Sequence, residues 1–175
     1  MDNKIDMTSL LCGETDKIDF EIEFAIDSAD APYGVTFPEA VKAKGSITNS
    51  GGYMRLCSEE SARYVSECAR CLRPIDDVLT IGFEKNVAEA GTVKEEDADD
   101  YLFIEDSHLD VESPLIEQII VEFPSKILCR EDCKGLCPRC GTDLNEGNCN
   151  CSQKAPDSRW ASALAKIRDS LDEQN

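Results

Sequence analysis

Apolar residues occupy every second position from Ile18 to Ile26, with Asp19, Glu21, Glu23 and Ala25 between them. Period two with one wet face predicts an amphipathic strand. Residues 39–48, the turn Asn49-Ser50-Gly51-Gly52 and residues 53–57 predict strand, turn and strand, extended as far as Val65. Ile75 to Val87 predicts a further strand, with Val78, Ile81 and Phe83 apolar, and Tyr101–Ile104 and Leu109–Val111 predict two short ones. Periodicity then changes. Leu115, Ile116, Ile119, Ile120 and Phe123 fall at helical spacing after Ser113 as cap and Pro114 as first helical residue, and Pro124 closes the helix. Trp160, Leu164, Ile167 and Leu171 recur every three or four residues, which predicts a C-terminal helix from Asp157 or Ser158.

Strands followed by helices predict an α+β fold: an antiparallel sheet or partly open barrel with a helix, a cysteine-rich zinc knuckle and a C-terminal helix. Residues 1–125 are expected to form a mainly β domain, with an acidic loop at 84–112 and the helix at 113–123. Residues 126–175 are expected to form a cysteine-rich segment and helix packed with it as one unit. At 175 residues the chain is long enough to bury roughly 70% of its unfolded surface.

Charge narrows the partners. The net charge is −18, from 36 acids against 18 bases. Half of it lies in residues 84–112, which hold eleven acids and two bases. Such a run is ordinarily a solvated loop, and its sharper reading is a contact with a basic partner. Residues 126–168 are the one net-basic stretch, at +3. The balance argues against a protein that coats nucleic acid or docks on anionic lipid, although a few phosphate contacts in the basic stretch remain open. No run of about 18 apolar residues is present, so no spanning helix is expected. The start, Met1-Asp2-Asn3-Lys4, lacks a basic region followed by an apolar one, so the expectation is a cytoplasmic protein without a secretory signal.

Ten cysteines carry the chemistry. Eight stand in close pairs: Cys68 and Cys71, Cys129 and Cys133, Cys137 and Cys140, Cys149 and Cys151. In a reducing compartment such spacings read as metal ligands rather than disulfides. A structural zinc takes four ligands in a tetrahedron, and a single histidine in the chain makes any such site nearly all thiolate. Cys137-Pro138-Arg139-Cys140-Gly141 presents two sulfurs to one point, and Cys149 and Cys151 follow closely enough to complete a first site. The remaining pairs, Cys68 with Cys71 and Cys129 with Cys133, make a second. Rival schemes place both C-x-x-C turns on one ion, or leave one site and free thiols. A thioredoxin-like role for Cys68 and Cys71 would want a helix after the first cysteine, where Leu72-Arg73-Pro74 and a strand follow instead. Cys12 and Cys57 are expected to be small packing residues. His108, among Glu105, Asp106 and Asp110, is expected to be a solvated loop residue. No phosphate-binding, dinucleotide-binding or nucleophile-elbow motif occurs, and no catalytic site is expected.

These motifs resemble a known family. The order is Cys68-Ala69-Arg70-Cys71-Leu72 after strands, an acidic stretch and a helix ending in Pro124. Then come Cys133-Lys134-Gly135-Leu136-Cys137-Pro138-Arg139-Cys140-Gly141, Cys149-Asn150-Cys151 and Asp157-Ser158-Arg159-Trp160. The whole resembles the bacterial YceD family, the large ribosomal RNA subunit accumulation proteins, in their cysteine-rich form. The resemblance implies a non-enzymatic role in assembly of the large ribosomal subunit. Its partner would be a basic ribosomal protein or the nascent subunit, with limited ribosomal RNA contact, and neither a small-molecule substrate nor a membrane. Readings from other classes are a zinc-stapled interaction module in transcription and a thiol redox or zinc-responsive switch.

Overall fold

The computed structural model describes residues 3–151. The helix expected from Asp157 or Ser158 lies outside the described residues. The chain divides after Cys133 into two compact units.

The first unit is built on a seven-stranded sheet. Its strands are β1 (Lys4–Asp6), β2 (Lys17–Phe24), β3 (Val41–Ser50), β4 (Tyr53–Glu67), β5 (Pro74–Glu89), β6 (Tyr101–Glu105) and β7 (His108–Asp110). Two helices, α1 (Thr8–Leu11) and α2 (Glu112–Glu122), accompany them. The strand order is β1-β7-β6-β5-β4-β3-β2. The sheet curls until its edges meet: the Asn3 side-chain amide donates to the Glu23 carbonyl on β2 at 3.1 Å. The result is a nearly closed, partly open barrel with few helices, in line with the α+β expectation.

Alternation sets the inner face. In register, Phe20, Gly45, Ser58 and Phe83 form one row across β2 to β5, and Ile22, Ala43, Glu60 and Ile81 form the next. Small residues dominate β3 here for a steric reason. A Cβ on Gly45 would come within 2.6 Å of the Cys57 carbonyl oxygen and 2.7 Å of the Phe20 ring. Met7 and Leu10, around α1, are fully buried with the barrel residues, as are Leu115 and Ile119 of α2. The tight turn between β3 and β4 rests on Gly51 and Gly52, with φ of +61° and +94°.

Five of the six pairings are antiparallel, and β5 with β6 is parallel. The sheet is therefore mixed. A parallel neighbour needs a long crossover, and residues 90–100 supply it, including a 3-10 turn at Glu95–Asp100. The acidic stretch thus holds β6, β7 and this turn. His108 stands on β7, exposed, rather than in a loop.

The α2 cap also differs from expectation. Asp110, not Ser113, accepts the backbone N–H groups of Glu112 and Ser113, at 3.1 and 3.4 Å, and the Ser113 hydroxyl. A carboxylate just before the helix satisfies its orphan donors and suits the dipole. At the other end Phe123 is extended, as the residue before a proline must be. Its ring packs edge-on against Tyr64 and Phe37, with centroids 5.2 and 6.0 Å away. This small second core directs residues 124–133 back toward the end of the β4–β5 hairpin.

Candidate metal centres

The β4–β5 hairpin is 15 residues long on one side and 16 on the other, and its loop is Cys68–Arg73. Cys68 N–H donates to the Arg73 carbonyl at 2.8 Å, and Leu72 N–H to the Cys68 carbonyl at 2.9 Å. This winds the loop so that both cysteines project to one side. The returning segment is tied to it. Ala69 N–H donates to the Ile127 carbonyl at 2.9 Å, and the Arg70 guanidinium donates to the Cys133 carbonyl at 2.6 Å.

Four sulfurs meet there. Cys68, Cys71, Cys129 and Cys133 lie within 4.8 Å of one another. Cys68 Sγ is 3.7 Å from Cys133 Sγ, and Cys71 Sγ is 3.6 Å from Cys129 Sγ. Sulfurs around a tetrahedral ion at about 2.3 Å stand about 3.8 Å apart, so the spacing suits one such ion. The cluster is sheltered: Cys68 is fully buried, and Cys71 and Cys133 are buried.

The second unit carries the other tetrad, Cys137, Cys140, Cys149 and Cys151, also within 4.8 Å of one another. Its turn repeats the first. Cys137 N–H donates to the Thr142 carbonyl at 2.8 Å, and Gly141 N–H to the Cys137 carbonyl at 2.9 Å. Gly141 has φ of +74°, while Leu72 holds the matching position of the first turn at +58°. Glycine takes that conformation freely and leucine under strain. Around the turn, Asn145 Oδ1 accepts Lys134 N–H, and Asp143 Oδ1 accepts Asn145 N–H, each at 2.8 Å. Here Cys137 is buried but Cys140 is exposed.

The thiols within each tetrad influence one another. Burial opposes ionisation of Cys68, but the N–H groups of Cys129, Arg70 and Cys71 outweigh it and bring the thiol down to about 6. Burial and the neighbouring thiols push Cys129 up to about 12. In the second tetrad the Thr142 hydroxyl and N–H bring Cys140 down to about 6, whereas Cys140 and burial push Cys151 up to about 12. One thiolate forms readily and hinders the next. A dication would let all four ionise together.

The structure therefore groups the eight paired cysteines into the two sets that spacing suggested, and each set can hold a metal ion. Cys68 and Cys71 stand in a hairpin loop rather than at a helix N-terminus. The expectation for the other two cysteines fails. Cys12 and Cys57 are exposed. Cys57 follows the fully buried Leu56 on β4, so strand alternation turns it outward. Sequence reading also missed Glu60. It points into the barrel at 1% exposure, its Oε1 accepts the Ser58 hydroxyl at 2.6 Å, and its Oε2 has no partner among the described residues. Its place in the alternation of β4, two residues after Ser58 and two before Ala62, was the available signal.

Strands, helix and two cysteine tetrads together define a small, nearly closed barrel with two candidate metal sites. The family model described as "Large ribosomal RNA subunit accumulation protein YceD" matches residues 57–168, more than half of the chain, which belongs to this family. An uncharacterized protein of Mycobacterium tuberculosis is 31% identical over 109 residues, covering 61% of this chain and 52% of that protein. An uncharacterized protein of Mycobacterium leprae is 34% identical over 88 residues, 48% of this chain and 40% of that protein. A third relative is "Large ribosomal RNA subunit accumulation protein YCED homolog 1, chloroplastic" of Arabidopsis thaliana. It is 24% identical over 107 residues, 56% of this chain and 33% of that protein. The chain thus spans about half the length, or less, of these relatives. No solved structure matches. No helix among the described residues is long and apolar enough to cross a membrane.

Proposed function

We propose that this protein is a non-enzymatic, cytoplasmic factor in assembly of the large ribosomal subunit. In this reading it acts by binding a basic ribosomal protein or precursor ribosomal RNA. The family match over residues 57–168 carries the proposal. The printed function of the chloroplast relative, accumulation of the large-subunit ribosomal RNA, points the same way. Charge selects among ribosomal partners. At −18 the chain favours encounter with a basic protein and disfavours broad contact with RNA.

The eight clustered cysteines then serve structure. Cys68, Cys71, Cys129 and Cys133 would hold one zinc, and Cys137, Cys140, Cys149 and Cys151 a second. All-thiolate sets close the tetrahedron and leave no position for a catalytic water. The first ion would staple the β4–β5 hairpin to the segment after α2. The second would organise residues 134–151, which hold little other regular structure.

Affinity purification of the full chain at physiological salt tests the role. Recovery of large-subunit proteins or their precursor RNA is the expected result. Recovery of RNA polymerase without ribosomal components would overturn it.

A further inference from the structure

The net charge is not spread evenly in its effect. On the sheet exterior several acids are already answered. Lys44 pairs with Glu21 at 2.9 Å, Lys42 with Glu23 at 3.8 Å and Arg55 with Glu84 at 2.7 Å. Arg63 bridges Asp76 and Glu39. A partner meeting these positions meets near-neutral ion pairs.

The region of β6, β7 and α2 differs. A groove of about 560 Å³ lies there, bordered by the 3-10 turn. Asp99, Glu105 and Glu117 line it, are exposed, and have no ion-pair or hydrogen-bond partner for their carboxylates among the described residues. Asp110 lines it too but is engaged in capping α2. Lys4 and Lys85 oppose them, so four carboxylates face two amines within the groove. The adjoining Glu95, Asp97 and Asp100 of the turn extend the negative field. The groove also has apolar surface. Phe103 is half-buried in its wall, and Val121 lies on α2 at 79% exposure, although the opposite face of that helix buries Leu115 and Ile119. The groove therefore offers apolar surface beside carboxylates that lack basic partners among the described residues, the mixture that a binding surface carries.

We propose that this groove is the docking site for a lysine- and arginine-rich segment of a partner protein, with an apolar side chain of that segment seated against Phe103 and Val121. The inference rests on the assembly role above and names the surface that performs it. Charge complementarity selects the occupant: free carboxylates at the rim repel a nucleic-acid backbone and attract a basic peptide, while the aromatic wall accepts a guanidinium face or an aliphatic chain.

The test uses the full chain and a fluorescent synthetic peptide rich in arginine and lysine with interspersed leucines. Two triple variants remove the same charge. One is Asp99→Asn, Glu105→Gln and Glu117→Gln in the groove. The other is Glu21→Gln, Glu23→Gln and Glu84→Gln on the sheet exterior. The groove triple is expected to bind about tenfold more weakly, equivalent to about 1.4 kcal/mol, with a slower association rate. The exterior triple is expected to lose less than about threefold, since its acids are already paired. Val121→Ser is expected to weaken binding with its salt dependence unchanged. Equal losses from the two triples would overturn the groove, because the attraction would then be diffuse. Groove-dependent binding of single-stranded RNA with none of the peptide would overturn it also. Co-purification with large-subunit precursors separates the two levels. If the groove triple co-purifies as well as wild type, the groove is wrong and the assembly role stands. If the peptide binds in the groove but the wild-type chain never co-purifies, the groove stands and the assembly role falls.

Discussion

Glu60 offers the sharpest prediction about the fold. Its carboxyl sits in the barrel row between Ala43 and Ile81, with one oxygen accepting the Ser58 hydroxyl and the other without a partner among the described residues. Burial raises its pKa above the ordinary 4.5 and outweighs the lowering effect of the Ser58 hydrogen bond. An unsatisfied buried polar atom costs about 1–3 kcal/mol, whereas replacing both partners of a buried hydrogen bond by apolar groups is near neutral or stabilising. The double variant Glu60→Met with Ser58→Ala is therefore expected to be about 1–3 kcal/mol more stable than wild type at pH 8. The sign with pH follows from the raised value. Between the folded-state pKa and the unfolded value near 4.5, the folded protein binds more protons at this group than the unfolded chain. Wild type therefore gains stability relative to the variant as pH falls through that window. Urea denaturation of both proteins at pH 8 and pH 5 measures this, and the difference between them cancels the acid sensitivity of the thiolates. A variant less stable than wild type at pH 8, or a difference that does not shrink at pH 5, would refute the reasoning.

The cysteine sets predict metal content. Mass spectrometry of untagged protein is expected to find near two zinc per chain, with Cys71→Ser and Cys140→Ser each losing one and retaining the other. A chelator is expected to strip the set containing exposed Cys140 before the set built on fully buried Cys68, seen as two kinetic phases of zinc release. Gly45→Ala is expected to cost roughly 1–3 kcal/mol in denaturant melts, because its Cβ would meet the backbone oxygen of Cys57, which cannot move aside without disturbing the β3–β4 pairing.

Much of this architecture was legible where one physical signal acted alone. Alternation from Ile18 to Ile26 located β2, and Gly51-Gly52 between apolar runs located the β3–β4 hairpin. Spacing picked out eight cysteines in four short pairs, but it left rival groupings open, and only the fold brings each set of four sulfurs together. The misses arose where tertiary context decides. β1 and α1 are too short to show a period, and they form because Ile5 pairs with Leu109 and Met7 fills the barrel. The parallel pairing of β5 with β6 depends on where a crossover lands, which local pattern does not encode. Ser113 looked like a cap, but Asp110 reaches the same donors from further back. Glu60 was hidden because residue type suggests an outward glutamate, although its position in the alternation of β4 turns it inward.

Depletion of the protein in its own cells tests most directly whether it has a role in building the large ribosomal subunit. Lysates run on a sucrose gradient, with ribosomal RNA quantified, are expected to show a deficit of large subunits with immature precursor RNA. A normal gradient with mature large-subunit RNA would contradict the account.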